Sequence, residues 1–132
     1  MGRFNVREDN LMEANMKLEG IGKLLRIFIG ENDRLEKKPL YHVIVERARG
    51  FGMAGATVLR GVESFGAGST VHTARILELS EDLPLVVEIV DTEEKIGDFL
   101  PIIEEIFEKA GCGGMITEEK VNIIHYTHGV NP

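Results

Sequence analysis

The chain of 132 residues is 43% hydrophobic and 28% charged, with a formal net charge of −7. That length suits one domain with one core, and the balance excludes a disordered chain. The negative total disfavours nonspecific binding to nucleic acid or a membrane surface, no apolar run approaches the ~20 residues of a spanning helix, so no membrane insertion is expected, and the single cysteine, Cys112, points to a reducing, cytoplasmic setting.

Residues 1–16 show no sustained periodicity and read as a flexible leader or tag, with 17–132 as a single domain. "LLRIFIG" (24–30) is a short apolar run closed by Gly30 and predicts a strand. After the polar connection "ENDRLEKKP", Pro39 suits the first turn of a helix on which Leu40, Val43, Ile44 and Ala48 share one side. The glycines of "RGFGMAG" (49–55) should end it. "ATVLRGVESF" (56–65) reads as a second strand, with Gly61 marking a bulge.

Residues 66–84 begin Gly-rich and fit either a strand extension or a helical turn. "LVVEIVD" (85–91) is the clearest strand, and Asp91 with Glu94 makes a capping-box-like start for a second helix. Ile96, Phe99, Leu100, Ile103, Ile106, Phe107 and Ala110 trace its apolar stripe. Pro101 lies within that stripe and should clash with the carbonyl of Gly97, predicting a kink or break. "GCGG" (111–114) ends the helix, and "KVNIIHYT" (120–127) is the last strand.

The order β-α-β-β-α-β predicts an α+β, ferredoxin-like sandwich, an antiparallel sheet with both helices on one face. Leu25, Ile27 and Ile29 should face the helices. Leu24, Arg26 and Phe28, with Val86, Glu88 and Val90 and with Asn122, Ile124 and Tyr126, should line the other face. That second face is too apolar for open water, so the chain is expected to form a homo-oligomer. Arg26 and Glu88, on neighbouring strands of that face, should pair with each other.

Charge is segregated along the chain. Residues 47–75 hold four arginines against Glu63 alone, whereas 76–108 hold eleven acids and one base, Lys95. The low-acid segment contains Gly66, Ala67, Gly68, Ser69 and Thr70, with Arg75 nearby. Unshielded amides, hydroxyls and an arginine together suit a phosphate, although the loop lacks both the P-loop lysine and the GxGxxG spacing, and a surface turn accounts for it equally well. "GCGGMIT" is a second glycine cluster beside a strand. The two loops converging would form a nucleotide pocket, with Met115 and Ile116 as apolar contacts for a base.

His125 and His128 are three apart in a strand, which places them on opposite faces, and neither CxxC nor HExxH accompanies them. Cys112 follows a helix C-terminus, the wrong end to activate a thiolate. No Ser-His-Asp arrangement is supported by spacing, and the acids of helix two, including Glu104, Glu105 and Glu108, read as a solvated face. Nothing in the pattern calls for an enzyme or a required cofactor.

"GATVLRGVESFG" (55–66), "HTARILELSEDLPLVVEIVD" (72–91), "VNIIHY" (121–126) and the opening "LLRIFIGENDRLEKKPLYHVIVERAR" (24–49) strongly resemble the uncharacterised PII-like family, domain of unknown function 190. That family is similar to the PII signal-transduction proteins. The resemblance implies a ferredoxin-like homotrimer that binds an adenine nucleotide, ADP or ATP, in clefts between subunits. One wall falls on Ser64, Phe65, Gly66 and Ala67, the other on Gly113, Gly114, Met115 and Ile116. It also implies that Thr57 reaches the base from a neighbouring subunit, and that the loop signals to an unknown partner protein, for which a membrane transporter or channel is a candidate. PII proteins have a glycine where this chain has Ser64. They also carry a phosphate-contacting lysine in a longer second loop, and some have a modified tyrosine in the first, both missing here. A metal-binding, CutA-like trimer using His72, His125 or His128, and a ligand-free interaction module, are the alternatives.

Overall fold

The computed structural model describes residues 18–65, 72–73 and 82–129. Strand β1 runs Gly20–Gly30, followed by the short pair β2 (Arg34–Leu35) and β3 (Lys38–Pro39) and helix α1 (Leu40–Phe51). Then come β4 (Thr57–Arg60), β5 (Glu63–Ser64), β6 (His72–Thr73), β7 (Pro84–Asp91), helix α2 (Glu93–Ala110) and β8 (Met115–Ile123). The main sheet has the order β4-β7-β1-β8, and each neighbouring pair is antiparallel. This is the expected ferredoxin-like arrangement, with the two additional hairpins β2–β3 and β5–β6.

The strand alternation places the core as the sequence suggests. Leu25, Ile27 and Ile29 of β1, with Leu85, Val87 and Ile89 of β7, are buried against Leu40, Ile44 and Ala48 of α1 and Ile96, Phe99, Ile103 and Ile106 of α2. Burial of each large apolar side chain contributes about 1.5–3 kcal/mol. Phe51 and Phe99 join the two helices, with ring centroids 5.3 Å apart.

Helix α1 ends where the glycines predict. Gly52 adopts the left-handed conformation at φ 88°, its N–H bonded back into the last turn. Lys95 Nζ donates to the Gly52 carbonyl, placing a cation at the negative end of the helix dipole. Helix α2 starts one residue later than the capping-box reading. Thr92 is the cap, and its Oγ1 accepts from Lys95 N at 3.1 Å. Asp91 instead turns into the protein, only 2% exposed, where its carboxylate accepts from Ala54 N at 2.8 Å and Thr92 N at 2.7 Å.

Three further expectations are corrected. Pro101 does not break α2, which runs unbroken from Glu93 to Ala110. Pro101 and Gly97 are both exposed, so the backbone bond lost at proline lies on the solvent side while the buried stripe continues past it. The second strand is divided: β4 stops at Arg60, Gly61 N donates to Pro84 O at 2.8 Å, and no bulge forms there. The last strand spans Met115–Ile123 rather than 120–127. Its start is masked in the sequence by "TEEK", because β8 is a sheet edge and carries charge along its length. Consequently Met115, Thr117, Glu119 and Val121 share the open face, while Asn122 falls on the other side and Ile124 and Tyr126 lie beyond the strand.

Candidate functional site

The open face is built in rows by the register. Leu59 stands opposite Val86, Val86 opposite Phe28, and Phe28 opposite Met115, so one apolar row crosses the whole sheet. Leu59, Phe28 and Met115 are exposed. The adjacent row is polar: Thr57, Glu88, Arg26 and Thr117. Within it Arg26 Nε donates to Glu88 at 2.9 Å, as expected, and Nη1 donates to Glu119 of β8 at 2.6 Å. The hydrogen bond to Glu88 and then the contact with Glu119 hold the Arg26 guanidinium above its usual pKa, against some desolvation. Leu24 and Val90 flank this row on its other side.

The second glycine cluster forms a defined hollow. Gly111 ends α2 in the left-handed region at φ 67°, and its N–H donates to Phe107 O at 2.9 Å. The chain then passes so close to the sheet that a Cβ on Gly114 would meet Phe107 Cε1 at 2.6 Å and Phe28 O at 2.8 Å. Beyond it a cavity of 390 Å³ is lined by Glu104, Phe107, Cys112, Gly113, Gly114 and Ile116. Gly113, Gly114 and Ile116 are thus brought together. Met115 is separated from them, because it points to the open face opposite Phe28 while Ile116 pairs with Ile27 over the core.

Glu104, Phe107 and Cys112 were not among the sequence-derived candidates. Glu104 and Phe107 are one helical turn apart and share a side of α2, a spacing that links the acid to the apolar stripe once the end of the helix is known. Nearby, Lys109 Nζ bonds Glu105 at 3.0 Å. The hydrogen bond from Lys109, then its charge, holds the Glu105 carboxyl below the usual range.

Of the first wall, Phe65 is 71% exposed just beyond β5, and the Ser64 backbone pairs with His72. Gly66, Ala67, Gly68, Ser69 and Arg75 lie outside the described residues. Thr57 is exposed on β4, opposite Glu88. Strand β4, which precedes Ser64 and Phe65, and β8, which follows Gly113 and Gly114, are the two edges of the main sheet. Three strand spacings, about 14 Å, separate those edges.

Among the described residues no group of three or more His, Cys, Asp or Glu is placed to hold a metal ion, and no helix is long and apolar enough to cross a membrane. His128 packs edge-on against Tyr126, ring centroids 5.2 Å apart.

Comparison with known proteins agrees with this architecture. A UPF0166 protein of Aquifex aeolicus (strain VF5) is 44% identical over 103 residues, which is 78% of this chain and 93% of the relative. A UPF0166 protein of Methanocaldococcus jannaschii is 35% identical over 89 residues, 67% of this chain and 82% of the relative. Among solved structures, CPII, a nitrogen regulatory PII-like protein from Thiomonas intermedia K12 bound to ADP, AMP and bicarbonate, superimposes with a TM-score of 0.60 at 14% identity, covering 78% of this chain and 88% of CPII. A PII-like protein from Thermus thermophilus gives 0.58 at 18% identity, covering 80% of this chain and 91% of that protein. At those identities the likeness concerns the fold. The family model DUF190, described as Uncharacterized ACR, matches residues 22–123, and the chain belongs to that family of PII-like fold.

Proposed function

We propose that this protein is a regulatory nucleotide sensor: a trimer that binds ADP or ATP in clefts between subunits and changes the conformation of the loop following β5, which a partner protein reads. The observation that carries this reading is that β4, which leads towards Ser64 and Phe65, and β8, which Gly113 and Gly114 precede, are opposite edges of one sheet. The β8 edge of one copy meeting the β4 edge of the next would bring those two stretches to one ligand. The apolar row Leu59–Val86–Phe28–Met115 supports assembly, since a face of that composition is favoured when covered. The fold shared with CPII, which binds ADP and AMP, supports the ligand class. Signalling then follows as a population shift, the ligand favouring one loop conformation over another.

Thermal unfolding of the purified protein against ATP, ADP, AMP, cyclic nucleotides and divalent metals tests this. A ligand at about 100 times its dissociation constant adds about 2.7 kcal/mol of stability. Adenine nucleotides should raise the midpoint, and Gly66→Val should reduce that rise without dispersing the assembly. A rise with metals alone would favour a metal-handling trimer instead. No rise with any ligand would overturn the sensor reading.

A further inference from the structure

We infer that assembly through the open sheet face is coupled to proton uptake: when another copy covers the face, the Glu88 and Glu119 carboxylates around Arg26 bind a shared proton. This rests on the oligomer part of the reading above and specifies how that assembly is regulated.

The register fixes the charge on the face. Among the residues that the four strands of the main sheet place there, the charged ones are Arg26, Glu88 and Glu119. One guanidinium serves both carboxylates, with Nε donating to Glu88 at 2.9 Å and Nη1 to Glu119 at 2.6 Å. One cation against two anions leaves the face a negative charge in excess. The neighbouring groups on these strands do not offset it. Glu88 has Arg26 on one side and Thr57 on the other. Glu119 stands opposite Leu24, between Thr117 and Val121 of its own strand. Lys23, Glu118 and Lys120 alternate to the helix side of the sheet, where Lys23 bonds Glu118 at 3.0 Å. Strands β1, β4, β7 and β8 contain no histidine.

In a single copy both carboxylates keep contact with water, Glu88 at 30% exposure and Glu119 at 56%, and the excess charge is screened. Covering the apolar rows beside them removes that water, and an ion left without a partner there is costly. Another copy brings the same excess, so apposition adds repulsion. Two carboxylates on one cation relieve it by binding a proton, which leaves Arg26 paired with one of them and makes the other a neutral donor. The covered state then holds more protons than the free copy, so assembly strengthens as the pH falls. The gain ends where the free copy is protonated too, near the ordinary glutamate value of about 4.3.

Sedimentation of wild type, Glu88→Gln, Glu119→Gln and Glu108→Gln between about pH 5.5 and pH 8 tests the coupling. Glutamine keeps the shape of the side chain, and circular dichroism checks each fold. Glu108 is exposed on α2, away from the open face, so Glu108→Gln makes the same change in net charge elsewhere. Wild type should assemble at about tenfold lower concentration at the acid end of the range. Glu88→Gln and Glu119→Gln should each assemble at the alkaline end about tenfold more readily than wild type, and vary less than about threefold across the range. Glu108→Gln should follow wild type. If both carboxylates act as simple ion-pair partners, the two face variants assemble more weakly instead, and the inference fails. It fails equally, with the oligomer reading intact, if wild-type assembly is independent of pH, if the dependence persists in either face variant, or if Glu108→Gln abolishes it. Wild type remaining a single copy at every pH and concentration removes the oligomer reading and this inference together.

Discussion

Arg26 and Glu88 form an ion pair at 2.9 Å across β1 and β7, in the middle of the face that the helices leave uncovered. Glu119 approaches the same guanidinium at 2.6 Å from the other side, so one cation serves two carboxylates. Apolar rows lie on both sides, Phe28 and Val86 above and Leu24 and Val90 below.

If copies of the chain meet through this face, Arg26 matters more to assembly than to the fold of one copy. Arg26→Met should leave the circular dichroism spectrum unchanged but lower the concentration-dependent mass seen by sedimentation. Two carboxylates would then be left on a covered face without a cation. Adding Glu88→Met to Arg26→Met removes one of them and should restore part of the assembly. Equal masses for wild type and Arg26→Met would show that this face is not the contact surface.

Phe28 tests the same surface without altering an ion pair. It is 37% exposed and lies between Val86 and Met115 in the apolar row. Phe28→Lys should yield a folded chain of lower mass by light scattering at micromolar concentration. A variant of unchanged mass would place the oligomer contact elsewhere.

Two glycines in one loop should behave differently. At Gly114 a side chain would collide with the Phe107 ring and with the Phe28 carbonyl, and backbone cannot yield easily. Gly114→Val should therefore destabilise by about 1–3 kcal/mol in urea unfolding. A Cβ at Gly113 meets nothing within 4 Å, and Gly113→Ala should stay within about 0.5 kcal/mol of wild type. Similar midpoints for the two variants would show that the loop does not pass so close to the sheet.

Asp91 should prove structural. Its buried carboxylate satisfies the amides of Ala54 and Thr92, tying the loop after α1 to the start of α2. Asp91→Ala leaves both donors without a partner and should cost about 1–3 kcal/mol by chemical denaturation. Amide exchange at Ala54 and Thr92 should accelerate in the same variant. Unchanged exchange at both positions would contradict the contacts.

The amino-acid sequence determined the elements whose hydrophobic period is undisturbed. The alternation in β1 and β7 and the stripe on α2 named the core residues correctly, because burial on one face imposes a period that a sequence carries openly. It also supplied the Arg26–Glu88 pair, since facing residues on adjacent strands follow from strand order and alternation. Three features were decided by tertiary contact. Edge strand β8 begins at Met115 because its charged residues find partners across the sheet, Glu118 with Lys23 and Glu119 with Arg26, so local polarity hid a strand. Helix α2 passes through Pro101 because packing on both sides of it outweighs one missing backbone bond. The cavity at Gly113 and Gly114 owes its shape to Phe107 and Glu104 from α2 and Ile116 from β8, positions whose proximity is created only when the chain folds back over β1. A pattern along a chain records which side of an element is buried; which elements meet, and what lies between them, depends on contacts that the pattern does not encode.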